Sequence, residues 1–549
     1  MTDRTTSTIY LNRAGFVTEG TTIDLPEQLS RADARFIKLI VFIGGMTSLG
    51  AELCASRLIA PYFGTSTFIW ANVIGLTLTF LAIGYWLGGK AADSYPRLWL
   101  LYSITSISAL FVGLTPFLAR PVLQISLDAF DNVEIGAFYG SLVGVLIILA
   151  VPVTLLGFVS PYAIRMLVPD VSHSGNTSGN IYAIGTVGSI AGSFLPVLIL
   201  IPLVGTTRTF LILGLILLVP SVIALIRLRA IAQASLSVAM AIMLAAVSAV
   251  VDQTPIRPAE RGVVIYETES EENYIQVVQD GDRVLLSLND GHAWHSIYDP
   301  GTPLTGGPWD YFMVGPLFTP TSGAATIDNA LLIGLAGGTV SKQLTLGYGP
   351  VPIDGVEIDG EIARVGREYF DMNEPNLNVL IDDGRYVLRT STTSYDLIGV
   401  DAYRQPYIPF QLTTREFFQE IDDRLTPEGV AVMNVGRTET DFRLVDAIAS
   451  TMNDVFASVF IIDLEFSDNS MVIGTQTPTS LDTFAQSVAA QPAGSIVREV
   501  GETSIATGSM REVTESGEVW TDDYAPVERV VDQIIFGAAR DENENETEP

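Results

Sequence analysis

The sequence lacks the residues on which most disulfide and zinc sites depend. It contains one cysteine, Cys54, and three histidines, His173, His292 and His295. A single cysteine excludes a disulfide within the chain and a cysteine-based metal site, and so few histidines argue against a histidine-rich zinc site. We therefore predict no metal site.

Lysine is also rare, and acidic residues are abundant. The only lysines are Lys38, Lys90 and Lys342, and the formal net charge is −31. Through Val251 the chain has 13 basic and 11 acidic residues, whereas the remainder has 50 acidic and 17 basic residues. This acidic half argues against nucleic-acid binding, which needs a basic surface. An acidic, lysine-poor surface is typical of a halophilic protein, and an acidic mesophilic protein is the alternative.

The nearly neutral half is a series of apolar stretches long enough to span a bilayer. Residues 1–34 are a polar tail without the apolar core of a signal peptide. We predict a transmembrane domain over residues 35–251 with about seven helices. An extra crossing or a re-entrant piece near 137–168 is the alternative. The predicted spans lie near 36–55, 69–92, 98–118, 137–158, 181–203, 208–227 and 233–251.

The distribution of basic residues and the use of a cytosolic metabolite favour opposite orientations of this protein in the membrane. Basic residues near the spans favour a cytoplasmic N-terminus, and seven spans would then place the acidic half outside. A domain that uses a cytosolic metabolite must instead face the cytoplasm. We give the metabolite argument more weight, and we predict a multi-pass protein of the cell membrane whose C-terminal domain is cytoplasmic.

Charged and small residues within the spans have two interpretations. Glu52 is either functional or a structural partner of Arg57, because a charge at membrane depth is costly unless it is paired. The glycines Gly185, Gly188 and Gly192 are more typical of close helix packing than of ligand binding.

After a predicted linker at residues 252–261, the pattern changes to short strands. The segments VVIYETES, NYIQVVQ and RVLLSLND are rich in β-branched residues and are separated by Asp-Gly turns. We predict a small antiparallel β unit over residues 262–325 that acts as a substrate lid. Its polar and aromatic side chains are either substrate-site residues or turn and core residues. The candidates are Asn273, Asp290, His295, Tyr298 and Tyr311.

The stretch from Leu331 to Asp401 predicts an α/β doubly wound, Rossmann-like domain of the S-adenosylmethionine methyltransferase type, which we place at residues 326–535. Apolar strands end in a glycine turn or in an acid, and in a parallel sheet such ends meet at one edge, where ligands bind. The residues at these ends are Gly334, Gly337, Gly338, Glu357, Asp382, Asp383 and Asp401. Residues 536–549 are predicted to be a disordered acidic tail.

The glycine turn and the acids together indicate a ligand without phosphate groups. The turn is not a P-loop, it lacks the full dinucleotide-binding fingerprint, and it has no anion-binding lysine. Three carboxylates could hold a ribose, an adenine amino group and a cationic partner, which fits a nucleoside of the S-adenosylmethionine type. Taken singly, each acid could also be a helix N-cap.

The stretch from Tyr266 to Glu528 resembles the spermidine synthase (polyamine aminopropyltransferase) family, and the whole chain resembles its membrane-fused, multi-span branch. The carriers of the resemblance are YETESEENYIQVV, LNDGHAWHSIY, LTGGPWDYF, IGLAGGT, VEID, DDGRYVL, VDAYRQPYIPFQLTTREFF and TDDYAPVE, with ELCASRLIAPYFG and GYWLGGKAAD in the apolar half. The resemblance implies transfer of an aminopropyl group from decarboxylated S-adenosylmethionine to a polyamine amine, with release of methylthioadenosine. It implies no cofactor besides this co-substrate, and its expected partners are an amine, the lipid bilayer and a second copy of the chain.

The resemblance also implies roles for individual residues. Gly334, Gly337 and Gly338 would line the nucleoside loop, and Glu357 would hold the ribose hydroxyls. The adenine edge would lie against Asp383, beside Asp382. Asp401 would orient and deprotonate the attacking amine.

The chain departs from the family where the family holds the polyamine. Ala336 and Arg404 stand where the soluble enzymes have acids, and the pairs around Asn273 and Phe312 also differ. An arginine there would repel a polyamine. Two alternatives therefore stay open, which are a transferase that binds an S-adenosylmethionine-type nucleoside and uses a different acceptor, and a membrane transporter with an acidic regulatory domain.

Overall fold

The computed structural model describes most of the chain, namely residues 29–63, 67–130, 136–168, 174–249, 256–259, 261–289, 293–319, 323–404, 406–515, 517–535 and 537. Most of the predicted N-terminal tail, Asp290 and nearly all of the predicted acidic tail lie outside these residues. Within them, a helical region is followed by a small antiparallel sheet and a larger mixed α/β sheet. The fold class predicted from the sequence is confirmed.

The helical region has long, apolar helices that carry few charges. A π-helical segment, Pro196–Leu200, precedes the seventh helix. In the described part of the chain the helices are α1 Arg31–Phe63, α2 Thr67–Ser94, α3 Leu98–Phe130, α4 Gly136–Gly157, α5 Val159–Leu167, α6 Ser174–Leu195, α7 Ile201–Arg227 and α8 Ile231–Ser248.

Six helical stretches among the described residues are long and apolar enough to cross a membrane. One of them, Ser174–Arg227, has 54 residues, whereas one crossing needs only about 20. Gly205 interrupts this stretch with φ 77° and ψ 168°. The stretch therefore has the length and the break needed for two crossings, and the number of crossings stays a prediction.

Glycines allow α1 and α6 to pack backbone against backbone. A Cβ atom at Gly188 would lie 2.0 Å from the carbonyl oxygen of Phe42, and one at Gly192 would lie 2.2 Å from that of Met46. Larger side chains cannot fit at such contacts. The packing role predicted for these glycines is confirmed, and the order of the contacts shows that α1 and α6 run parallel.

The small sheet is antiparallel and packs on the α/β domain through one face. Ile275, Val277 and Leu286 of the sheet are buried against Ile362 and Val365. Alternate residues of a strand face opposite sides, so the other face is left for different contacts. In the order of the sheet, the strands are β1 Val263–Glu269, β2 Tyr274–Asp280, β3 Arg283–Leu288 and β4 Trp294–Tyr298.

The larger sheet has eight strands in the order β12-β10-β11-β9-β8-β5-β6-β7. The five neighbouring strands from β9 to β7 are parallel to one another. The pairings of β11 with β9, of β10 with β11 and of β12 with β10 are antiparallel. The strands β10 and β11 pair as an antiparallel hairpin. The strands are β5 Ala330–Ile333, β6 Ile353–Glu357, β7 Leu377–Ile381, β8 Tyr395–Val400, β9 Leu425–Gly436, β10 Ser458–Asp463, β11 Asn469–Thr475 and β12 Met510–Glu512.

Helices cover both faces of this sheet. Leu331 packs in one apolar core and its neighbour Leu332 in another, on the opposite face. Strands buried on both faces are continuously apolar, as parallel strands usually are. The helices are α9 Thr339–Tyr348, α10 Gly360–Tyr369, α11 Gly384–Thr390, α12 Arg415–Asp422, α13 Arg443–Asn453, α14 Leu481–Ala490 and α15 Ile496–Ala506, with a 3-10 helix at Pro308–Phe318.

The small sheet contacts the helical region directly. Arg257, in the segment before β1, bridges the two: its Nη1 donates to the carbonyl oxygen of Pro61, near the end of α1, at 2.8 Å, and its Nη2 donates to Ser287 Oγ of β3 at 3.3 Å. The backbone N–H of Thr206, near the start of α7, donates to the Glu269 carboxylate of β1 at 2.6 Å. The small sheet therefore packs at the end of the helical region where α1 ends and α7 begins.

Candidate active site

The glycine turn after β5 brings the backbone close to the end of β8. Gly334 has φ 90°, and a Cβ atom there would lie 2.7 Å from the backbone of Asp401. Both the left-handed conformation and the close approach require glycine. Gly338 also has a positive φ, of 85°, and it directly precedes α9. The turn thus exposes backbone groups at the edge of the sheet where β5, β6 and β8 end.

Glu357 is held at the end of β6 by backbone hydrogen bonds. Its Oε2 accepts from the N–H of Ala336 at 2.8 Å, and its Oε1 accepts from the N–H of Asp359 at 3.1 Å. The residue is only 7% exposed. Burial raises the pKa of Glu357 to about 7, although the backbone donors oppose this rise. The carboxylate is thus fixed at the sheet edge with limited access to water.

The two acids after β7 have different local roles. Asp383 is the N-cap of α11, and its Oδ1 accepts from the N–H of Tyr386 at 2.9 Å. Asp382 Oδ1 accepts from the N–H of Asp383 at 2.8 Å, and the N–H of Asp382 donates to the carbonyl oxygen of Glu357. The N-cap role that the sequence offered as an alternative thus applies to Asp383, and its other carboxylate oxygen stays available to a ligand.

Asp401 follows β8 and is oriented by Asn434. Asn434 Nδ2 donates to Asp401 Oδ1 at 2.8 Å, and the nearby Trp309 side chain lowers the pKa of this carboxylate. Asn469 Nδ2 in turn donates to Asn434 Oδ1 at 2.8 Å, which fixes the direction of the Asn434 amide. Burial nevertheless dominates, and it raises the pKa of Asp401 to about 7.

Two cavities meet at Asp401. The first, of about 580 Å³, extends over Gly334, Glu357, Asp382 and Asp383. The second, of about 350 Å³, lies on the other side of Asp401. Both volumes fall in the range of small-molecule sites. The residues that line both cavities are His295, Ala336, Asp401 and Tyr403.

The second cavity is aromatic and nearly free of charge. Asp401 is the only carboxylate among the described residues that line it. The remaining polar groups are neutral amides and hydroxyls, such as those of Asn434 and Asn469. The pKa of His295 is lowered to about 4 by burial, so its imidazole is neutral near pH 7. The aromatic lining residues are Trp294, Trp309, Tyr403 and Phe466.

The structure brings most of the predicted site residues together. Asn273, His295 and Arg404 line the first cavity along with the strand-end residues. Gly337, Gly338 and Tyr298 instead line a separate crevice of about 20 Å³ next to α9. Tyr311 packs against the core beneath the sheet and lines none of these cavities. The roles assigned to all these residues stay predictions.

The sequence interpretation missed several residues of the site. Asn434 could have been identified, because it is the one polar side chain in the run VAVMNVG at the end of β9. Asn469 gives no comparable signal, since its position depends on the folding of distant segments. Trp70 of α2 also lines the first cavity, although it belongs to the helical region. Among the described residues, no group of three or more histidine, cysteine or acidic side chains is arranged to hold a metal ion.

Residues 324–464 match the family model described as "Spermine/spermidine synthase domain". A probable polyamine aminopropyl transferase of Bifidobacterium longum is 32% identical over 302 residues, which cover 50% of this chain and 64% of that protein. A polyamine aminopropyltransferase of Vibrio vulnificus is 28% identical over 216 residues, 38% of this chain and 67% of that protein. This chain thus spans a little under two thirds of the first relative.

Among solved structures, the chain is similar to a probable spermidine synthase from Corynebacterium glutamicum. The TM-score is 0.37 and the sequence identity is 21%, and the match covers 48% of this chain and 98% of that protein.

Proposed function

We propose that the protein is an aminopropyltransferase. The premise is that residues 324–464 match the spermine/spermidine synthase domain and that the chain is similar to polyamine aminopropyltransferases. As an aminopropyltransferase, the protein transfers the aminopropyl group of decarboxylated S-adenosylmethionine to an amine and releases methylthioadenosine. The observation that carries this proposal is the position of Asp401, a half-buried carboxylate shared by two cavities of different chemistry.

The first cavity is the proposed nucleoside site. Glu357 is fixed at the end of β6, where its carboxylate can accept hydrogen bonds from a ribose diol. Asp382 and Asp383 lie at the neighbouring strand end, where they can accept from the adenine amino group. The glycine turn at Gly334 lets the ligand approach the backbone closely.

The second cavity is the proposed acceptor site, and the reaction takes place between the two cavities. The amine nitrogen attacks the propyl carbon bound to the sulfonium, and the carbon–sulfur bond breaks. Its electron pair stays on sulfur, which becomes the neutral thioether of methylthioadenosine. The new carbon–nitrogen bond leaves a proton on nitrogen, and Asp401 accepts it. A pKa of about 7 suits a general base that works near neutral pH.

Arg404 lies outside the proposed acceptor site, although an arginine at this position is expected to repel a polyamine. Its side chain lines the first cavity and approaches the Glu272 carboxylate at 4.0 Å, and it is not among the residues that line the second cavity. The repulsion expected between this arginine and a cationic acceptor therefore acts at a distance from the proposed acceptor site.

A second candidate function is transfer to an acceptor other than a polyamine. Asp401 is the single carboxylate lining the described part of the second cavity, whereas a polyamine carries several cations. An arginine beside the first cavity would also suit a co-substrate that keeps its carboxylate, such as S-adenosylmethionine itself.

Binding and turnover experiments separate these candidates. Calorimetry would compare methylthioadenosine, decarboxylated S-adenosylmethionine and S-adenosylmethionine on the purified full chain. Turnover with putrescine and other amines would be followed by methylthioadenosine release. We expect preference for the decarboxylated form and product with at least one amine. Preference for the carboxylated form would favour the second candidate, and nucleoside binding without product for any amine would contradict aminopropyl transfer.

The helical region is proposed to anchor the enzyme in the cell membrane, with the synthase domain in the cytoplasm where the charged co-substrate is made. The charge pattern opposes this orientation, because basic residues cluster at the end of the helical region away from the synthase domain. A reporter fused after the last residue would decide the matter. We expect a cytoplasmic location, and an external one would remove access to a cytosolic nucleoside. The basic residues at the distal end are Arg31, Arg35, Lys38, Lys90, Arg97, Arg165, Arg227 and Arg229.

We also propose a salt-rich working environment, because of the acidic composition. A homodimer is a separate proposal that rests on the family resemblance. Salt screens the repulsion among the 50 acidic residues after Val251, so the unfolding temperature is expected to rise with potassium chloride concentration. Light scattering of the detergent-solubilised protein would give the number of subunits. An unfolding temperature that falls with added salt would contradict the halophilic interpretation.

A further inference from the structure

One wall of the first cavity comes from the helical region. Trp70, in the first turn of α2, lines this cavity next to Glu272 and Asn273 of the β1–β2 turn and Arg404 of the loop after β8. The same four residues line a third cavity, of about 80 Å³. That cavity extends towards α1, where it is lined by Ser56, Arg57 and Ala60. The first cavity is therefore closed partly by residues outside the synthase domain.

The β1–β2 turn is held between the helical region and the synthase domain. On one side, Arg57 of α1 donates a hydrogen bond to the carbonyl oxygen of Glu271. On the other side, Asn273 Nδ2 donates to the Asp359 carboxylate at 2.9 Å. The N–H of Asp359 donates to Glu357, the proposed ribose-binding residue. Hydrogen bonds and one short stretch of chain thus connect α1 to the nucleoside site.

A second connection lies beside the first. Glu269 is in β1, just before the turn, and its carboxylate accepts from the N–H of Thr206. Thr206 follows Gly205, whose backbone is not helical and interrupts α7. The turn is therefore fixed to two different helices, and its position depends on the packing of the helical region.

We propose that the helical region is part of the substrate site, with Trp70 contacting the ligand bound in the first cavity and Arg57 positioning the turn that carries Glu272 and Asn273. The ligand's identity rests on the proposed function, whereas the contact itself does not. A tryptophan ring adds a large apolar surface to such a wall, and its face attracts a cationic ligand such as a sulfonium.

The first test replaces Trp70 in the full-length, detergent-solubilised protein. We expect Trp70→Ala to raise KM for decarboxylated S-adenosylmethionine by about 5- to 30-fold, with kcat changed by less than about threefold. Kd for methylthioadenosine, which has no charge on sulfur, should rise by a smaller factor because only the apolar contact is lost. Trp86→Ala is the matched control, because Trp86 lies on the same helix, is 61% exposed and lines none of the three cavities. Trp70→Ala behaving like Trp86→Ala would overturn the proposal.

A conservative variant covers the case in which Trp70→Ala does not fold. Trp70→Phe should retain most of the affinity for methylthioadenosine but lose part of the change in tryptophan fluorescence that ligand binding causes. Trp86→Phe should retain that change in full. A fluorescence change that is the same in both variants would show that Trp70 does not contact the ligand.

The positioning role of Arg57 has its own test. Arg57→Met, which removes the hydrogen-bond donor, should raise KM for the nucleoside co-substrate several-fold. It should leave kcat nearly unchanged, because Arg57 acts on the turn and not on the reacting atoms. Arg57→Lys, which keeps a donor, should recover part of this loss. If neither variant changes KM, the turn does not need α1.

Binding of methylthioadenosine by the wild type and by Trp70→Ala separates the proposed function from the proposed contact. If the wild-type protein does not bind methylthioadenosine, the proposed function fails. If it binds methylthioadenosine and the affinity is unchanged in Trp70→Ala, the proposed function stands and the helical region is not part of the site.

Discussion

The two cavities that meet at Asp401 are built in different ways. The first is formed mainly by the ends of parallel strands and by backbone groups, with Glu357, Asp382 and Asp383 at its edge. The second is formed by side chains from separate loops, and it has aromatic faces and the single carboxylate of Asp401 among its described lining residues. The topology of the sheet determines the first cavity, whereas tertiary packing of distant segments determines the second.

This difference fits the two halves of the proposed reaction. A nucleoside has hydroxyl and amino groups that need fixed acceptors, and strand ends supply these at constant positions. The attacking amine must instead be neutral and desolvated, and a largely uncharged cavity with one base favours that state. Changes on one side should therefore affect one substrate and spare the other.

The largest effect on kcat is expected from a substitution of Asp401, where the two cavities meet. Asp401→Asn removes the proposed base and keeps the shape and the hydrogen bond from Asn434. We expect kcat to fall by about 10²- to 10⁴-fold, the usual contribution of a general base. Affinity for methylthioadenosine, measured by calorimetry, should change little, because the carboxylate acts on the amine.

Asp396→Asn provides the control for this substitution. Asp396 lies on β8, at the opposite end of the strand from Asp401, and it accepts hydrogen bonds from structural groups such as the N–H of Asp328. It lines neither cavity. Near-normal turnover in Asp401→Asn would mean that the proton leaves by another route.

The next largest effect is expected on nucleoside affinity, from a substitution in the first cavity. Glu357→Gln weakens the acceptor that we assign to the ribose, and its amide can no longer accept from both backbone donors. Loss of a charged hydrogen bond of this kind costs about 1.5–3 kcal/mol, or about 10- to 150-fold in Kd for methylthioadenosine. KM for the amine should stay near the wild-type value. Equal losses for both substrates would contradict the division into two sites.

The first cavity could be predicted from the sequence because each of its main residues is local to a strand end. The apolar runs before Gly334, Glu357 and Asp401 predict strands, and parallel strands bring their ends to one edge. This reasoning needed no knowledge of which distant segments touch.

The second cavity and the wall at Trp70 could not be predicted in this way. Trp309 lies in a 3-10 helix, Asn469 starts β11 and Trp70 lies in a different region of the chain. Their contact with the site depends on long-range packing, and the composition of each segment is equally consistent with a core or surface role. Tyr311 illustrates the opposite case, since its segment suggested a substrate residue and the structure packs it against the core.

The dependence of kcat/KM on pH should reflect the raised pKa of the carboxylate at which the two cavities meet. Burial raises the pKa of Asp401 and that of Glu357 to about 7. Because the proposed base must be ionised, kcat/KM should fall about tenfold for each pH unit below this value. Asp401→Asn should remove this limb of the profile, and Glu357→Gln should retain it. A profile that is flat from pH 5 to 8 would contradict an essential carboxylate with this raised pKa.

Asp401 and Glu357 should make the folded protein less stable as the pH rises, whereas kcat/KM rises over the same pH range. Their pKa values are raised in the folded protein, so the folded state binds protons more tightly than the unfolded state between about pH 4 and pH 7. Their contribution to the free energy of unfolding is therefore complete at low pH and is lost as the pH rises through 7. Thermal unfolding of the wild type and of Asp401→Asn across this window would measure it, and the variant should show the smaller loss.

The smallest effect should distinguish the aromatic rims of the two cavities. Phe466 is 86% exposed and lines the second cavity, whereas Phe410 is 51% exposed and lines the first. An exposed aromatic face contributes about 0.5–1 kcal/mol to binding a cation, or a few-fold in affinity. We therefore expect Phe466→Ala to raise KM for the amine alone and Phe410→Ala to raise KM for the nucleoside alone. Steady-state kinetics with each substrate varied in turn would measure both changes. If the two variants exchanged these effects, the assignment of substrates to cavities would be reversed, and Asp401 would keep its place between them.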